Sequence, residues 1–367
     1  MSPRQQDAEY MEMCYALAEK ARGHTSPNPY VGALVVKAGE IIGWGYHEKA
    51  GRPHAEALAL QRAGEGARNA TAYITLEPCT HWGRTPPCVD LVRESGLKRV
   101  VISDYDPNPQ VFRKGARRLR ASGIQVSVGL LKERNRTLNE VYLKYAAQRI
   151  PFVTLKAAVS LDGKIATASS QSQWISSTAA RDYIHLVRGE YDALLVGINT
   201  LIRDDPRLTI RHPRWRNKRQ VRIILDSRLR FPRAARILET LSRGEILIFT
   251  GPQAPASKRI ALEKMGAQVF PVPLSRGRLQ LPKILSLLAE REISSVLVEG
   301  GGLVHTDFLE NRLADKFLVT VSPKLVGGSR APSFFQGRGI PHLQDAQELK
   351  RIREFRIQND VLIEGYF

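Results

Sequence analysis

The chain has 367 residues, 43% of them hydrophobic, and 55 Lys and Arg against 36 Asp and Glu leave it at +19. That length exceeds a usual single core, so two domains are expected; no apolar run reaches the roughly 18 residues of a membrane span, and the N-terminal stretch MSPRQQDAEYMEMCYALAEKA lacks a signal-peptide core. Three cysteines are too few, and odd in number, for a disulfide scaffold, which points to a reducing, cytoplasmic location.

In chain order, residues 12–22 read as a helix. VGALVVKAGEIIGWGYH reads as a hairpin turning at Ala38-Gly39, and HAEALALQRAG as a helix that stops at a glycine. AYITLEP is a short apolar strand, CVDLVRESG a helix, RVVISD a strand, GARRLRASG a helix and IQVSVGLL a strand. A longer polar helix over 132–148 closes this half. Pro151 ends that helix and the strand FVTLKAAVSL begins, so residues 1–147 and 151–367 are expected to be separate domains. The second half alternates again: AARDYIHLVRGE helix, DALLVG, VRIILD and EILIFTG strands, ASKRIALEKMG and KILSLLAERE helices, SSVLVEGG strand, LVHTDFLEN helix and KFLVTVSPKLVGG strand. Both halves are therefore of the α/β layered class.

Cys79 and Cys88 lie close together, and His54 and Glu56 stand upstream at the start of a helix. His54, Cys79 and Cys88 make three ligands, and catalytic zinc takes three protein ligands and an open position for water. His-x-Glu followed by Pro-Cys is the signature of zinc nucleobase deaminases, with Glu56 as the general acid/base that moves protons to the ring nitrogen and the leaving amine. The nucleobase pattern usually has Cys-x-x-Cys, whereas eight residues, THWGRTPP, separate the cysteines here. Cys14 lies on an apolar helix face and reads as core. His81 is a weaker alternative ligand to Cys88.

The stretches SPNPYVGALVV (26–36), HAE (54–56), TLEPCTHWGRTPPC (75–88) and DPNPQV (106–111) resemble the deaminase domain of the bifunctional riboflavin-biosynthesis deaminase/reductase family. That resemblance implies a cytidine-deaminase-like α/β/α domain. Its substrate would be 2,5-diamino-6-ribosylamino-4(3H)-pyrimidinone 5′-phosphate. Asn28 would be a pocket hydrogen-bond donor, Arg84 a phosphate or ring contact, and Asn108 would orient substrate or brace its loop. Arg113 departs from the family, which usually has glycine there.

The second half has no G-x-G-x-x-G after a strand. Its strongest feature is SSVLVEGGGLVHTDFL (294–309), where glycines at a helix start let phosphates approach backbone N–H groups. LKAAVSLDGKIA (155–166), SQWIS (172–176), RDDPRLTIR (203–211), ILDS (224–227) and VEGGG (298–302) resemble the reductase domain of the same family. The resemblance implies a dihydrofolate-reductase-like α/β fold that uses NADPH to reduce the ribosyl group to a ribityl chain. Carried over by position, Ala158, Trp174, Thr200, Asp204, Ser227 and Gly301, Gly302, Leu303, Val304, His305, Thr306 and Asp307 would bind the cofactor. Ser172, Arg188, Leu208, Arg211 and Glu299 would bind substrate, with Arg188 and Arg211 suited to bidentate phosphate contact. Lys156 and Asp204 are the candidates for polarising the sugar and transferring a proton. Ser170 stands where the family often has glycine.

The charge admits a nucleic-acid partner, and a tRNA-editing deaminase with an added domain is the rival reading. Residues 1–150 carry 22 Lys and Arg against 15 Asp and Glu, and the remainder 33 against 21, so the excess is spread over both halves. RKGARRLR (113–120) reads as a helix with a wet arginine face and RHPRWRNKRQVR (211–222) as a solvated loop. A phosphorylated small substrate, no nucleic acid, no membrane and a homo-oligomer formed through the reductase domain are expected.

Overall fold

The computed structural model describes residues 2–82 and 86–367, and the chain divides into two compact units, 1–150 and 151–367. The first unit runs α1 (Pro3–Glu19), β1 (Gly32–Lys37), β2 (Glu40–Tyr46), α2 (Ala55–Ala63), β3 (Thr71–Ile74), α3 (Cys88–Glu94), β4 (Arg99–Ile102), α4 (Lys114–Ala121), β5 (Gln125–Val128), α5 (Lys132–Leu138) and α6 (Glu140–Gln148). Its sheet has the order β2-β1-β3-β4-β5. Period-two alternation splits β1, β3 and β4 between two cores. Ala33, Val35, Ala72, Ile74, Val100 and Ile102 pack under α2, α3 and α4. Leu34, Val36, Tyr73 and Val101 pack under Met11, Cys14, Tyr15 and Ala18 of α1. The result is an α/β/α sandwich.

Helix α1 starts earlier than the apolar pattern indicates, because Ser2 and Gln5 form a capping box and Pro3 occupies the first turn. Ala38 and Gly39 take positive φ, 50° and 86°, at the hairpin turn. The polar helix expected over 132–148 is two helices. Asn139 breaks it because its buried amide bonds elsewhere: Oδ1 accepts from the Tyr30 N–H at 2.7 Å and Nδ2 donates to Tyr30 O at 3.0 Å.

The second unit runs β6 (Phe152–Ser160), α7 (Thr178–Arg188), β7 (Ala193–Gly197), α8 (Ile198–Asp204), β8 (Val221–Leu225), β9 (Ile246–Thr250), α9 (Ala256–Lys264), β10 (Gln268–Pro271), the small hairpin β11 (Leu274–Ser275) and β12 (Arg278–Leu279), α10 (Leu281–Glu290), β13 (Ser295–Val298), α11 (Gly302–Glu310), β14 (Lys316–Ser322), β15 (Lys350–Ile357) and β16 (Asp360–Tyr366). Its nine-stranded sheet has the order β10-β9-β8-β7-β13-β6-β14-β16-β15. The strands from β10 to β14 in that order pair in parallel, while β14-β16-β15 are antiparallel. The parallel strands are buried on both faces, as near-continuous runs such as ALLVG and ILIFT require.

The stretch 211–222 is not a wholly solvated loop. Trp215 and Gln220 are buried, and Arg222 begins to fill the interior of β8, donating to Thr240 Oγ1 at 2.6 Å and Thr240 O at 3.0 Å. Burial without a carboxylate lowers its pKa to about 10. The arginines of α4 are exposed as expected.

Two candidate active sites

In the first unit α2 lies directly on the hairpin. A Cβ at Gly43 would stand 2.2 Å from Ala59 O, and one at Gly45 2.4 Å from Ala55 O, so glycine is required at both positions for the helix to sit there. This fixes His54, the N-cap of α2, and Glu56 in its first turn. Cys88 opens α3 and packs beside them, with Cys79 on the connection from β3. That connection leaves regular pairing at Ile74, so Pro78 does not itself terminate the strand.

His54 Nδ1 stands 3.2 Å from Cys88 Sγ and 3.6 Å from Cys79 Sγ, and the Cys88 N–H points at Cys79 Sγ at 3.2 Å. The three ligand atoms lie within 4.8 Å of one another. The hydrogen bond from Cys88 pulls the Cys79 thiol below its ordinary value, while Cys79 raises His54. Two thiols and an imidazole converging in this way, with one thiol already drawn toward thiolate, fit a zinc ion with a fourth position left over. Glu56 is 5% exposed, and burial pushes its carboxyl up to about 7.

Asn28 reaches the same pocket and donates from Nδ2 to His47 Nε2 at 3.1 Å. His47, absent from the sequence reading, donates from Nδ1 to Pro53 O at 3.2 Å and meets the His54 ring edge-on at 5.1 Å. Pro53 O fixes the tautomer, so Nε2 is free to accept and Asn28 keeps Oδ1 and one amide hydrogen for a ligand. The only signal for His47 was its position at the end of the hairpin.

Asn108 braces its loop, its Oδ1 accepting from Gln110 N at 3.0 Å. Glu77, a second omission, holds that loop by accepting from Arg113 N at 2.9 Å and Ala116 N at 2.9 Å. Arg113 has φ 60°, the left-handed region where the family's glycine would sit without strain. Arg84 lies outside the described residues. His81 is not in the metal-ligand cluster.

In the second unit the parallel pairing sets Val298 opposite Leu155, so the residues that follow, Glu299 and Lys156, emerge side by side. Lys156 Nζ is 3.9 Å from Glu299 Oε2. Arg188, at the end of α7, grips Glu299 with Nε and Nη2, both at 2.6 Å. Burial alone would raise the Glu299 carboxyl, but Arg188 and then Lys156 hold it at about 2. Burial lowers Lys156. The Nε and Nη2 atoms of Arg188 are thus engaged by Glu299.

Asp204 and Ser172 form a separate pair, Ser172 Oγ to Asp204 Oδ1 at 3.4 Å, and burial raises the Asp204 carboxyl. Among the described residues no hydrogen bond or ion pair joins this pair to the Lys156 cluster. Leu208 is buried in the core with φ 49°, so only its backbone can face a ligand.

The remaining candidates gather at the carboxyl ends of the adjacent parallel strands β8, β7, β13 and β6, where open α/β sheets bind ligands. Ser227 follows β8, Thr200 follows β7, Gly301 follows β13, and Ala158 lies near the end of β6. Helix α11 is capped by Gly301, which offers no side-chain cap, leaving its first N–H groups for an anion. This bare, glycine-lined helix start fits a dinucleotide phosphate. The side chains further along α11 are engaged within the protein: His305 with Val298 O, Thr306 with Gly302 O, and Asp307 with Arg278. Trp174 is 55% exposed beneath Arg181. Ser170, like Arg113, takes positive φ, 69°.

Residues 4–104 match the family model for the cytidine and deoxycytidylate deaminase zinc-binding region, and residues 151–363 match that for the RibD C-terminal domain. The chain is 44% identical to the riboflavin biosynthesis protein RibD of Aquifex aeolicus, over 97% of this chain and 96% of the relative. It is 39% identical to that of Escherichia coli, over 94% and 95%. Among solved structures, Acinetobacter baumannii RibD superposes with a TM-score of 0.88 at 34% identity, over 100% of this chain and 99% of the other. A Thermotoga maritima diaminohydroxyphosphoribosylaminopyrimidine deaminase/5-amino-6-(5-phosphoribosylamino)uracil reductase gives 0.85 at 35%, over 100% and 99%.

Proposed function

The chain belongs to the RibD family of bifunctional riboflavin-biosynthesis enzymes, and from that premise we propose which of its residues carry the two reactions and on what substrate. It is a zinc-dependent deaminase joined to an NADPH-dependent reductase, and a tRNA-editing role is not favoured. The deaminase acts on 2,5-diamino-6-ribosylamino-4(3H)-pyrimidinone 5′-phosphate, and the reductase converts the deaminated product to 5-amino-6-(5-phosphoribitylamino)uracil.

His54, Cys79 and Cys88 would hold the zinc ion, which when bound would lower the pKa of the attacking water toward neutrality. Asn28 orients the ring. Glu56, buried and with its carboxyl near 7, takes a proton from the water at its carboxylate oxygen. It delivers that proton to the ring nitrogen, then takes the second proton from the hydroxyl now on the carbon and passes it to the amine, which leaves as ammonia. NADPH supplies the hydride in the second unit. The groups at the carboxyl ends of β8, β7, β13 and β6 seat the cofactor, and Arg211 holds the phosphate. Lys156 polarises the sugar oxygen, and Asp204 carries a proton. Each deaminase motif precedes residue 112 and each reductase motif follows Pro151, so the two chemistries reside in separate units, 1–150 and 151–367. Among the described residues no helix is long and apolar enough to cross a membrane. We place the enzyme in the cytoplasm, as a homo-oligomer associated through the reductase domain.

The observation that carries this assignment is the pairing of a buried Glu56 with the His54, Cys79 and Cys88 cluster in a chain that also holds the Lys156, Arg188 and Glu299 cluster. The test is incubation with the phosphorylated diaminopyrimidinone, followed by mass analysis. Without NADPH the product should have exchanged an amine for oxygen. With NADPH it should also gain two hydrogens. Ammonia release without the oxygen exchange, or NADPH consumption before deamination, would overturn the assignment.

A further inference from the structure

We propose that His185 is a positioning residue that parks the Arg211 guanidinium beside the reductase site and yields it to the substrate's phosphate. The inference rests on the reading of Arg211 as the phosphate ligand. His185 lies on α7, one turn before Arg188, and is buried. Its Nε2 faces Arg211 Nε at 3.1 Å and Arg211 Nη2 at 3.0 Å. Its Nδ1 faces the Arg211 backbone N–H at 3.3 Å and Arg188 Nη1 at 3.4 Å. Four N–H donors therefore address two ring nitrogens.

A neutral imidazole accepts at one nitrogen and carries hydrogen on the other. Whichever tautomer is present, one set of donors goes unmet. Protonation would remove both acceptors and place another cation among Lys156, Arg188 and Arg211, with Glu299 the carboxylate that faces them. Burial, then Arg188 and Arg211, accordingly keep the ring neutral, with a pKa of about 3. The hold on Arg211 is thus a neutral, half-satisfied contact. A phosphate offers several charged acceptors and a fork that matches guanidinium, so it wins the exchange.

The exchange also leaves His185 satisfied. With hydrogen on Nε2, Nδ1 accepts from the Arg211 backbone, and Nε2–H points at the space the guanidinium has left. It is then a further donor to the phosphate. Arg188 cannot substitute, because its fork is occupied by Glu299 and its Nη1 reaches Thr209 O at 3.4 Å. Arg211 is free to swing because it is exposed. The residue type matters. A carboxylate at 185 would bind Arg211 too tightly and repel phosphate. Gln would still supply one acceptor and one donor. Leu would supply neither.

The test uses the full-length enzyme, NADPH and the deaminated substrate, with ribose 5-phosphate as competitive probe and ammonia release from the first unit as the control for folding. His185→Glu should raise KM and the ribose 5-phosphate Ki together, by about 30-fold or more, with kcat at saturation within about threefold. His185→Leu should raise both by about 3- to 10-fold, and His185→Gln should restore both to within about threefold of the parent. Unchanged KM and Ki in His185→Glu, or an equal loss of kcat in all three variants, would overturn the proposal. Arg211→Met separates the two readings. If it leaves KM and Ki unchanged, Arg211 does not bind the phosphate and both fail. If it raises them while the His185 variants do not, only the parking role fails.

Discussion

Among the described residues Glu299 is the one carboxylate paired with Lys156 and Arg188, so Glu299→Gln removes the countercharge of two buried cations. The folded protein holds this carboxyl at about 2, against 4.5 ordinarily. That difference corresponds to about 3 kcal/mol of stability at neutral pH. It agrees with the roughly 3–5 kcal/mol expected when one partner of a buried ion pair is deleted. Because the folded pKa is depressed, the stabilisation is complete above the ordinary value. It is about half gone near pH 3 and is lost as pH falls through 2. The assay is urea unfolding of the full chain with Trp44 and Trp82 replaced by Phe, so that Trp174 and Trp215 report on the second unit. For a unit of this size the variant's midpoint should fall by about 1 M at pH 7, and the gap to the parent should narrow below pH 4. A difference under about 1 kcal/mol at pH 7, or one that stays constant down to pH 3, would show that Glu299 is not the charge that holds this cluster together.

Cys79→Ser and Cys88→Ser should each lose bound zinc, measured by metal analysis, together with ammonia release; full zinc in both would remove these ligands and turn attention to His81. Glu56→Ala should cut deamination by at least about a hundredfold while NADPH oxidation on the deaminated substrate continues, and a folded, zinc-loaded variant silent in both assays would refute the separation of sites. Arg113→Gly and Ser170→Gly relieve positive φ at two turns and should each stabilise by about 0.5–1 kcal/mol, the relief of strain outweighing glycine's extra freedom when unfolded. Thermal melts that fall in both variants would show that these side chains contribute more than their backbones cost.

The local patterns of the chain were enough to read most of the strands and helices. Alternation along GALVVK and continuous burial along ALLVG are properties of a few neighbouring residues, and Gly64 ends α2 by its own backbone freedom. The His54, Cys79 and Cys88 cluster was legible for a related reason. The metal requires a restricted set of residue types, and two of the ligands sit at helix starts that the sequence itself announces. Arg113 and Ser170, singled out in the sequence, both lie at turns whose φ is positive. What the sequence did not reveal depends on partners far along the chain. Asn139 splits a helix because Tyr30, 109 residues away, claims its amide. Arg188 meets its carboxylate partner in Glu299, 111 residues away. His47 gains its tautomer from Pro53 and its purpose from Asn28 across the pocket. The strands β15 and β16 carry little local signal, since β15 is exposed along most of its length and is held by pairing at the sheet edge. Period and turn chemistry act over one or two turns of chain, whereas a buried polar group must find its partner wherever the fold delivers one.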